Sequence, residues 1–396
     1  MSRREDAKII SLVATAHGMS HFFQLAAAPL FPLMKAEFGV SYAALGLVLM
    51  VFYAVSAVPQ PFAGFVVDRY GGRNVLFGGL ALQVMGSLLI GASGSYAMLV
   101  AGAVIAGLGN SVFHPADFAI LNSRVSEARL GHAFSAHGIA GSLGYAAAPI
   151  FSGTLGALFG WRAAMAAAAA LGLAVLIVLL LNGRRLQGAR AAAPRARTPL
   201  AQDARVLFAA PVVLCFMYFA IYAAGLAGLQ SFSVSAMTMQ FGVAAAFASI
   251  ALTSYMVGSA SGMVAGGFIA ARTARHDRVA AAGLAGSAAT IFLIASGALQ
   301  AAALPVAFAF AGFSVGATAP SRDLIVRAST PAGATGRVYG FVYSGLDVGS
   351  LATPVFYGWL MDHRMPQAVF YVVFAFTAAA ILTVLSLPGQ RRRVAA

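Results

Sequence analysis

The chain has 396 residues, of which 60% belong to the apolar AVILMFWYC set and only 9% are charged, against roughly 25% charged in an ordinary soluble domain. That composition excludes a soluble globular fold and leaves room for twelve membrane helices of about 20 residues each. The net charge of +14 would point to nucleic acid in a soluble protein. Here the charges fall between long apolar runs, so they are assigned to the anionic inner leaflet and to membrane topology, and nucleic acid is excluded as a partner.

In chain order, the first apolar stretch follows Arg3, Arg4 and Lys8 in the manner of a signal peptide, with Ala26 to Ala28 as a formal cleavage site. Its extent, from about residue 9 to residue 34, and the presence of His17 and His21 argue for a retained span. Further apolar segments follow at about 43–66, 74–93, 96–120, 131–157 and 161–182. After a gap they resume at about 208–237, 244–270, 278–299, 302–326, 336–360 and 366–387. Residues 183–207, rich in Arg, Ala and Pro without apolar periodicity, read as a cytoplasmic linker. The domains expected are therefore a six-helix bundle over 1–182, a linker over 183–207, and a second six-helix bundle with a short basic tail over 208–396. Cys215 sits inside an apolar run as a packing residue.

Lysine and arginine fix the orientation. Of the 25, all but Lys35, Arg162 and Arg364 lie at the termini or at alternate gaps and the adjoining helix ends. This places both termini in the cytoplasm. An internal repeat agrees with the six-plus-six count. Phe38-Gly39-Val40 returns as Phe241-Gly242-Val243, and Gly64 and Arg69 return as Gly267 and Arg272, all at an offset of 203. Pro115, Gly131, Gly144 and Pro149 return as Pro320, Gly336, Gly349 and Pro354 at an offset of 205. Two halves in the same orientation are parallel repeats, which in transporters place the substrate site between the halves near the midplane.

Polar groups inside apolar spans are costly, about 2.5–3.5 kcal/mol each if ionised at a helix centre, and so face a cavity. Here they form stripes: His17, His21 and Gln24 at i, i+4 and i+7 on the first segment, and Asn110, His114 and Asp117 with the same spacing on the fourth. Tyr339, Tyr343 and Asp347 make a third stripe on the eleventh, and His137 on the fifth joins them. At about 1.5 Å rise per residue, His21 and Asp347 fall near the midplane, and Asp117 and Arg322 toward the cytoplasmic end. The 205-residue offset pairs Asp117 with Arg322, which are expected to form an inner gate. Histidine titrates near physiological pH, so His21, His114 and Asp347 are the proposed proton carriers. Tyr218, Tyr222, Tyr339 and Tyr343 supply amphipathic walls for a solute.

The loop between the second and third segments reads Gly64-Phe65-Val66-Val67-Asp68-Arg69-Tyr70-Gly71-Gly72-Arg73. It resembles the G-x-x-x-D-R-x-G-R-R signature of the major facilitator superfamily, with Gly72 replacing one Arg. The resemblance implies an all-α membrane fold of twelve helices in two pseudo-symmetric bundles. The cavity would then be lined by helices one, four, seven and ten. It also implies a cytoplasmic latch of Gly64, Asp68, Arg69, Gly71 and Arg73, in which Gly64 permits close helix packing. The second-half copy, Gly267 to Arg272, lacks the aspartate, so the latch is asymmetric. Gly138, Gly141, Gly144, Ala148, Pro149 and Gly153 look like a degraded form of the superfamily's antiporter pattern. His17-Gly18 with His21-Phe22, Pro59-Gln60-Pro61, and the run from Gly107 to Pro115 are similar to the fosmidomycin-resistance-like branch, whose name implies efflux of a small anionic phosphonate.

The reading is a proton-coupled secondary transporter, an exporter of a small polar or anionic solute working as a monomer in a bacterial-type inner membrane, without cofactor or assigned metal. The alternatives are an importer of an organic anion or siderophore-like compound, a divalent metal transporter using His17, His21 and His114, and a non-transporting receptor. The absence of H-E-x-x-H, nucleophile-elbow, Walker-loop and paired-cysteine motifs argues against an enzyme.

Overall fold

The computed structural model describes residues 3–187, 207–330 and 335–386. Among them every regular element is helical, the outcome expected where lipid leaves backbone groups no partner but the helix itself. Most of the expected linker, 188–206, and the basic tail beyond 386 lie outside the described residues. The chain divides into two compact units, Met1–Ala193 and Pro194–Ala396.

The first unit contains α1 (Arg3–Ala26), α2 (Phe31–Phe38), α3 (Tyr42–Ala57), α4 (Gln60–Tyr70) and α5 (Gly72–Gly91), then α6 (Tyr96–Asn110), α7 (Phe113–Arg124), α8 (Leu130–Phe159) and α9 (Trp161–Leu181). The second contains α10 (Ala210–Phe241), α11 (Ala245–Ala270), α12 (His276–Ala295) and α13 (Leu304–Gly316), then α14 (Ala319–Ala328), α15 (Thr335–Ala352), α16 (Pro354–Asp362) and α17 (Pro366–Leu385). Nine stretches of the described residues are long and apolar enough to cross a membrane. The other three apolar stretches of the sequence are helical but interrupted: α1 gives way to α2 around Pro29, α3 to α4 at Pro59, and α15 to α16 before Pro354. Proline lacks the N–H a helix interior needs and disfavours the helical conformation of the residue before it. Leu171, Leu173, Ile177, Val178, Leu180 and Leu181 of α9 are all exposed. Six large apolar side chains on one helix face suit lipid and would be a liability in water.

The internal repeat has physical counterparts in each half. Gly39 and Gly242 both end helices in the left-handed region, at φ 63° and 66°, which favours glycine and explains why Phe-Gly-Val recurs. Within the first half α1 packs on α8, α3 on α6, and α5 on α9; within the second, α10 packs on α15, α11 on α13, and α12 on α17. At the α1–α8 crossing a Cβ on Gly144 would fall 2.0 Å from the Gly18 carbonyl oxygen. At the α10–α15 crossing one on Gly349 would fall 2.2 Å from that of Ala220. Both halves also break a span at the same register, between α6 and α7 just before Pro115 and between α13 and α14 just before Pro320.

Ion pairs anchor the ends of the first half. Asp6, fully buried, accepts from Ser126 Oγ at 2.6 Å and from Arg129 Nη1 at 2.8 Å, and Arg185 donates to Glu5. At the other end Glu37 accepts from Arg162 and, at 2.6 Å, from Trp161 Nε1. The hydrogen bond from Ser126, aided by the Arg129 charge, holds the Asp6 carboxyl below its ordinary value. Hydrogen bonds from Arg162 and Trp161 do the same for Glu37. Carboxyls depressed in the folded state contribute stability above the unfolded pKa and lose it as pH falls through the folded value. The melting temperature of the purified protein should therefore hold from neutrality to about pH 4 and drop below it. In Asp6→Asn the melting temperature should start lower and fall less over the same acid range.

Candidate functional site

The polar stripes of the first and fourth segments meet in the interior of the first half. The break after Asn110 starts a new helix at Phe113, and α7 carries His114 and Asp117 beside α1 and α8. Asp117 is fully buried. Its Oδ2 lies 3.0 Å from His137 Nε2 and 3.2 Å from His17 Nδ1. The rings of His17 and His137, both buried, stack with centroids 3.5 Å apart. His21, half-buried, lies 4.4 Å from His17 and 4.4 Å from the ring of Tyr145. His114 is exposed, 5.2 Å from His17 by ring centroids. Gly141 makes the space: a Cβ there would fall 2.9 Å from His21 Nδ1 and 3.1 Å from His17 Nε2.

One and a half turns along, Asn110 forms the centre of a second polar group. Its Oδ1 accepts from Ser20 Oγ at 2.7 Å, Gln24 Nε2 at 3.1 Å and Gln83 Nε2 at 3.2 Å. Its Nδ2 donates to Ser56 Oγ at 2.6 Å, and Tyr145 Oη donates to Gln24 Oε1 at 2.7 Å. Five helices, α1, α3, α5, α6 and α8, thus contribute to one hydrogen-bonded set. Ser20, Ser56, Gln83 and Tyr145 are not among the residues that the sequence singles out. Gln83 carried a usable signal, since an amide inside the apolar run 74–93 is costly unless satisfied. The two serines carried none, being common in helix contacts.

The second half holds an aromatic group around one guanidinium. Arg322 Nε donates to Asp323 Oδ1 at 3.0 Å, and its Cζ lies 4.8 Å from the Phe219 ring centroid. Tyr343 Oη donates to the same Asp323 oxygen at 3.0 Å. Tyr218 and Tyr222 stack at 6.2 Å, nearly parallel. Asp347 is half-buried on α15. Tyr339 lies on the same helix, its side chain outside the described residues. Asp117 and Arg322, aligned by the repeat, each meet partners within their own half: two imidazoles for the one, Asp323 for the other. An open groove of about 550 Å3 between α11 and α13, lined by Thr253, Ser254, Ser261 and apolar side chains, includes none of the residues singled out from the sequence.

At the motif loop, Gly71 separates α4 from α5 with φ 82°. Arg69 is exposed, and Arg73 Nη1 donates to Gln187 Oε1 at 3.3 Å, tying α5 to the segment that follows α9. The Asp68 side chain lies outside the described residues. Among the described residues of the first half, a Cβ on Gly64 would meet nothing within 4 Å.

Two repeated helical halves, multiple apolar spans and a buried polar interior define a multi-pass membrane transporter fold. The chain belongs to the Major Facilitator Superfamily, whose family model matches residues 12–235 and 221–395. It is 24% identical to the fosmidomycin resistance protein of Escherichia coli over 393 residues, 97% of this chain and 94% of that protein. A multidrug resistance protein B homolog of Mycobacterium tuberculosis is 32% identical over 127 residues, covering 32% of this chain and 24% of its own length. Multidrug resistance protein MdtL of Escherichia fergusonii is 31% identical over 170 residues, 42% of this chain and 41% of its own. In fold the chain is similar to a bacterial homologue of the human lysosomal transporter Spinster, solved inward-facing and unoccupied, with a TM-score of 0.74, 17% identity, and coverage of 98% of this chain and 95% of that one.

Proposed function

We propose that the protein exports a small polar or anionic solute across a bacterial-type inner membrane in exchange for protons, as a monomer of twelve spans with both termini cytoplasmic. The observation that carries this reading is the buried carboxylate of Asp117 held between His17 and His137. A proton delivered there either neutralises the carboxylate or charges an imidazole, and both change the hydrogen bonds joining α1, α7 and α8. His21 and His114 extend the set within the first half, and Asp347, half-buried on α15, is the proposed proton carrier of the second. Export is supported by the resistance functions in the names of the relatives. The preference for an anion rests on Arg322, the imidazoles and the amides of Gln24 and Asn110, with Tyr218, Tyr222, Tyr339 and Tyr343 as walls. The loop residues Gly64, Asp68, Arg69, Gly71 and Arg73 act as the cytoplasmic latch, a role that rests on the motif they share with the family.

Inverted membrane vesicles from cells producing the protein test the reading. On respiration they acidify inside, so an exporter of this kind should accumulate radiolabelled fosmidomycin, the probe indicated by the relative's name, and lose it when a protonophore is added. Binding without accumulation would favour a receptor. Accumulation only in right-side-out vesicles would favour an importer.

A further inference from the structure

Three imidazoles of the first half sit on three different helices, His17 on α1, His114 on α7 and His137 on α8. Each can offer a ring nitrogen such that the three nitrogens lie within 4.8 Å of one another. We propose that they form a binding site for a divalent transition-metal ion, and that Zn2+ is the occupant their chemistry fits best. Neutral imidazole favours zinc, copper, nickel and cobalt over the oxygen-seeking magnesium and calcium. Zinc, without a d-electron preference in geometry, accepts three histidines with a fourth position left open.

The surroundings match such a site in three respects. His17 Nδ1 and Asp117 Oδ1 are buried without a hydrogen-bond partner, so polar capacity inside the cluster is unspent. Asp117 Oδ2 stands 3.0 Å from His137 Nε2 and 3.2 Å from His17 Nδ1. With Asp117 behind its Nε2, His137 has Nδ1 left for an ion, and a carboxylate behind an imidazole is the arrangement that orients metal-binding histidines and raises their basicity. His114 is exposed while His17 and His137 are buried, so the cluster is open on one side and enclosed on the others. Tetrahedral ligands at about 2.0–2.1 Å from zinc lie roughly 3.3 Å apart. Closing on an ion therefore needs each ring to swing by about an ångström, opening the present stack of His17 on His137. A bound ion ties α1, α7 and α8 together and occupies imidazoles that the export reading assigns to proton handling, so it should arrest export. The site itself does not depend on that reading, because binding is measured at equilibrium without flux.

The test is calorimetric titration of Zn2+ into the full-length protein in detergent with any affinity tag removed, alongside thermal melts. The expected result is saturable binding that raises the melting temperature, weakened about tenfold or more in His114→Ala and in Asp117→Asn. Binding should be unchanged when His132, His276 and His363 are together replaced by alanine. His114, being exposed, can be removed without emptying the core, and an unchanged melting profile without zinc verifies that each variant is folded. Absence of saturable binding, full binding in folded His114→Ala, or equal binding of Mg2+ would overturn the proposal.

Discussion

Asp117→Ala is expected to lower the stability of the protein by about 2–4 kcal/mol, read as a lower melting temperature in detergent. The carboxylate is fully buried and faces His137 Nε2 and His17 Nδ1. Removing it leaves His137 Nε2 without its partner in a water-poor interior, which costs about 1–3 kcal/mol, takes the facing carboxylate from His17 Nδ1, and opens a void where the side chain stood. Asp117→Asn separates folding from transport. The amide keeps the size and one accepting oxygen, so the melting temperature should stay close to the parent's. It cannot carry the negative charge, so accumulation driven by a proton gradient should disappear. If Asp117→Asn accumulates solute as the parent does, the proton is handled elsewhere.

The second large effect is steric and differs in sign along one helix. In Gly144→Ala the new methyl would lie 2.0 Å from the Gly18 carbonyl oxygen and 3.1 Å from the Phe22 nitrogen. Both are backbone atoms that cannot rotate away, so α1 and α8 must separate. The loss should reach or pass the upper end of the about 1–3 kcal/mol typical of overpacking. Gly349→Ala meets the Ala220 carbonyl oxygen at 2.2 Å and should behave alike. Gly138→Ala, earlier on α8 than Gly144, meets nothing within 4 Å. It should stabilise by about 0.5–1 kcal/mol through the lower entropy of the unfolded chain. Thermal melts of the three variants check the series, and a uniform response would mean that close approach is not what these two crossings require.

Much of the architecture was legible because membrane helices advertise themselves by apolar length and because the repeat copied its punctuation. The Phe-Gly-Val pair marked two left-handed helix ends, and the Pro115 and Pro320 pair marked two broken spans. The stripes were equally readable: i, i+4 spacing put His17 and His21 on one face and Asn110, His114 and Asp117 on another, and these faces meet. What periodicity could not supply was contact across helices. Register pairs Asp117 with Arg322 across the repeat but does not give Asp117's neighbours within its own half, which are His17 and His137, and nothing in the spacing of α8 assigns His137 to Asp117. Ser20, Ser56 and Gln83 gathered on Asn110 for the same reason, since a hydrogen-bonded set drawn from five helices exists only after packing. The three interrupted stretches show a further limit. Hydropathy reads α3 and α4 as one segment, while Pro59 makes the backbone two.

The central claim, that solute movement is exchanged for protons through the Asp117 cluster, is tested most directly in proteoliposomes carrying a pH-sensitive dye in the lumen. Solute added outside should enter as protons leave, so the lumen becomes more alkaline. Liposomes with Asp117→Asn should still exchange labelled for unlabelled solute without any change in lumenal pH. Solute entry through the parent protein with a constant or falling lumenal pH would contradict the account.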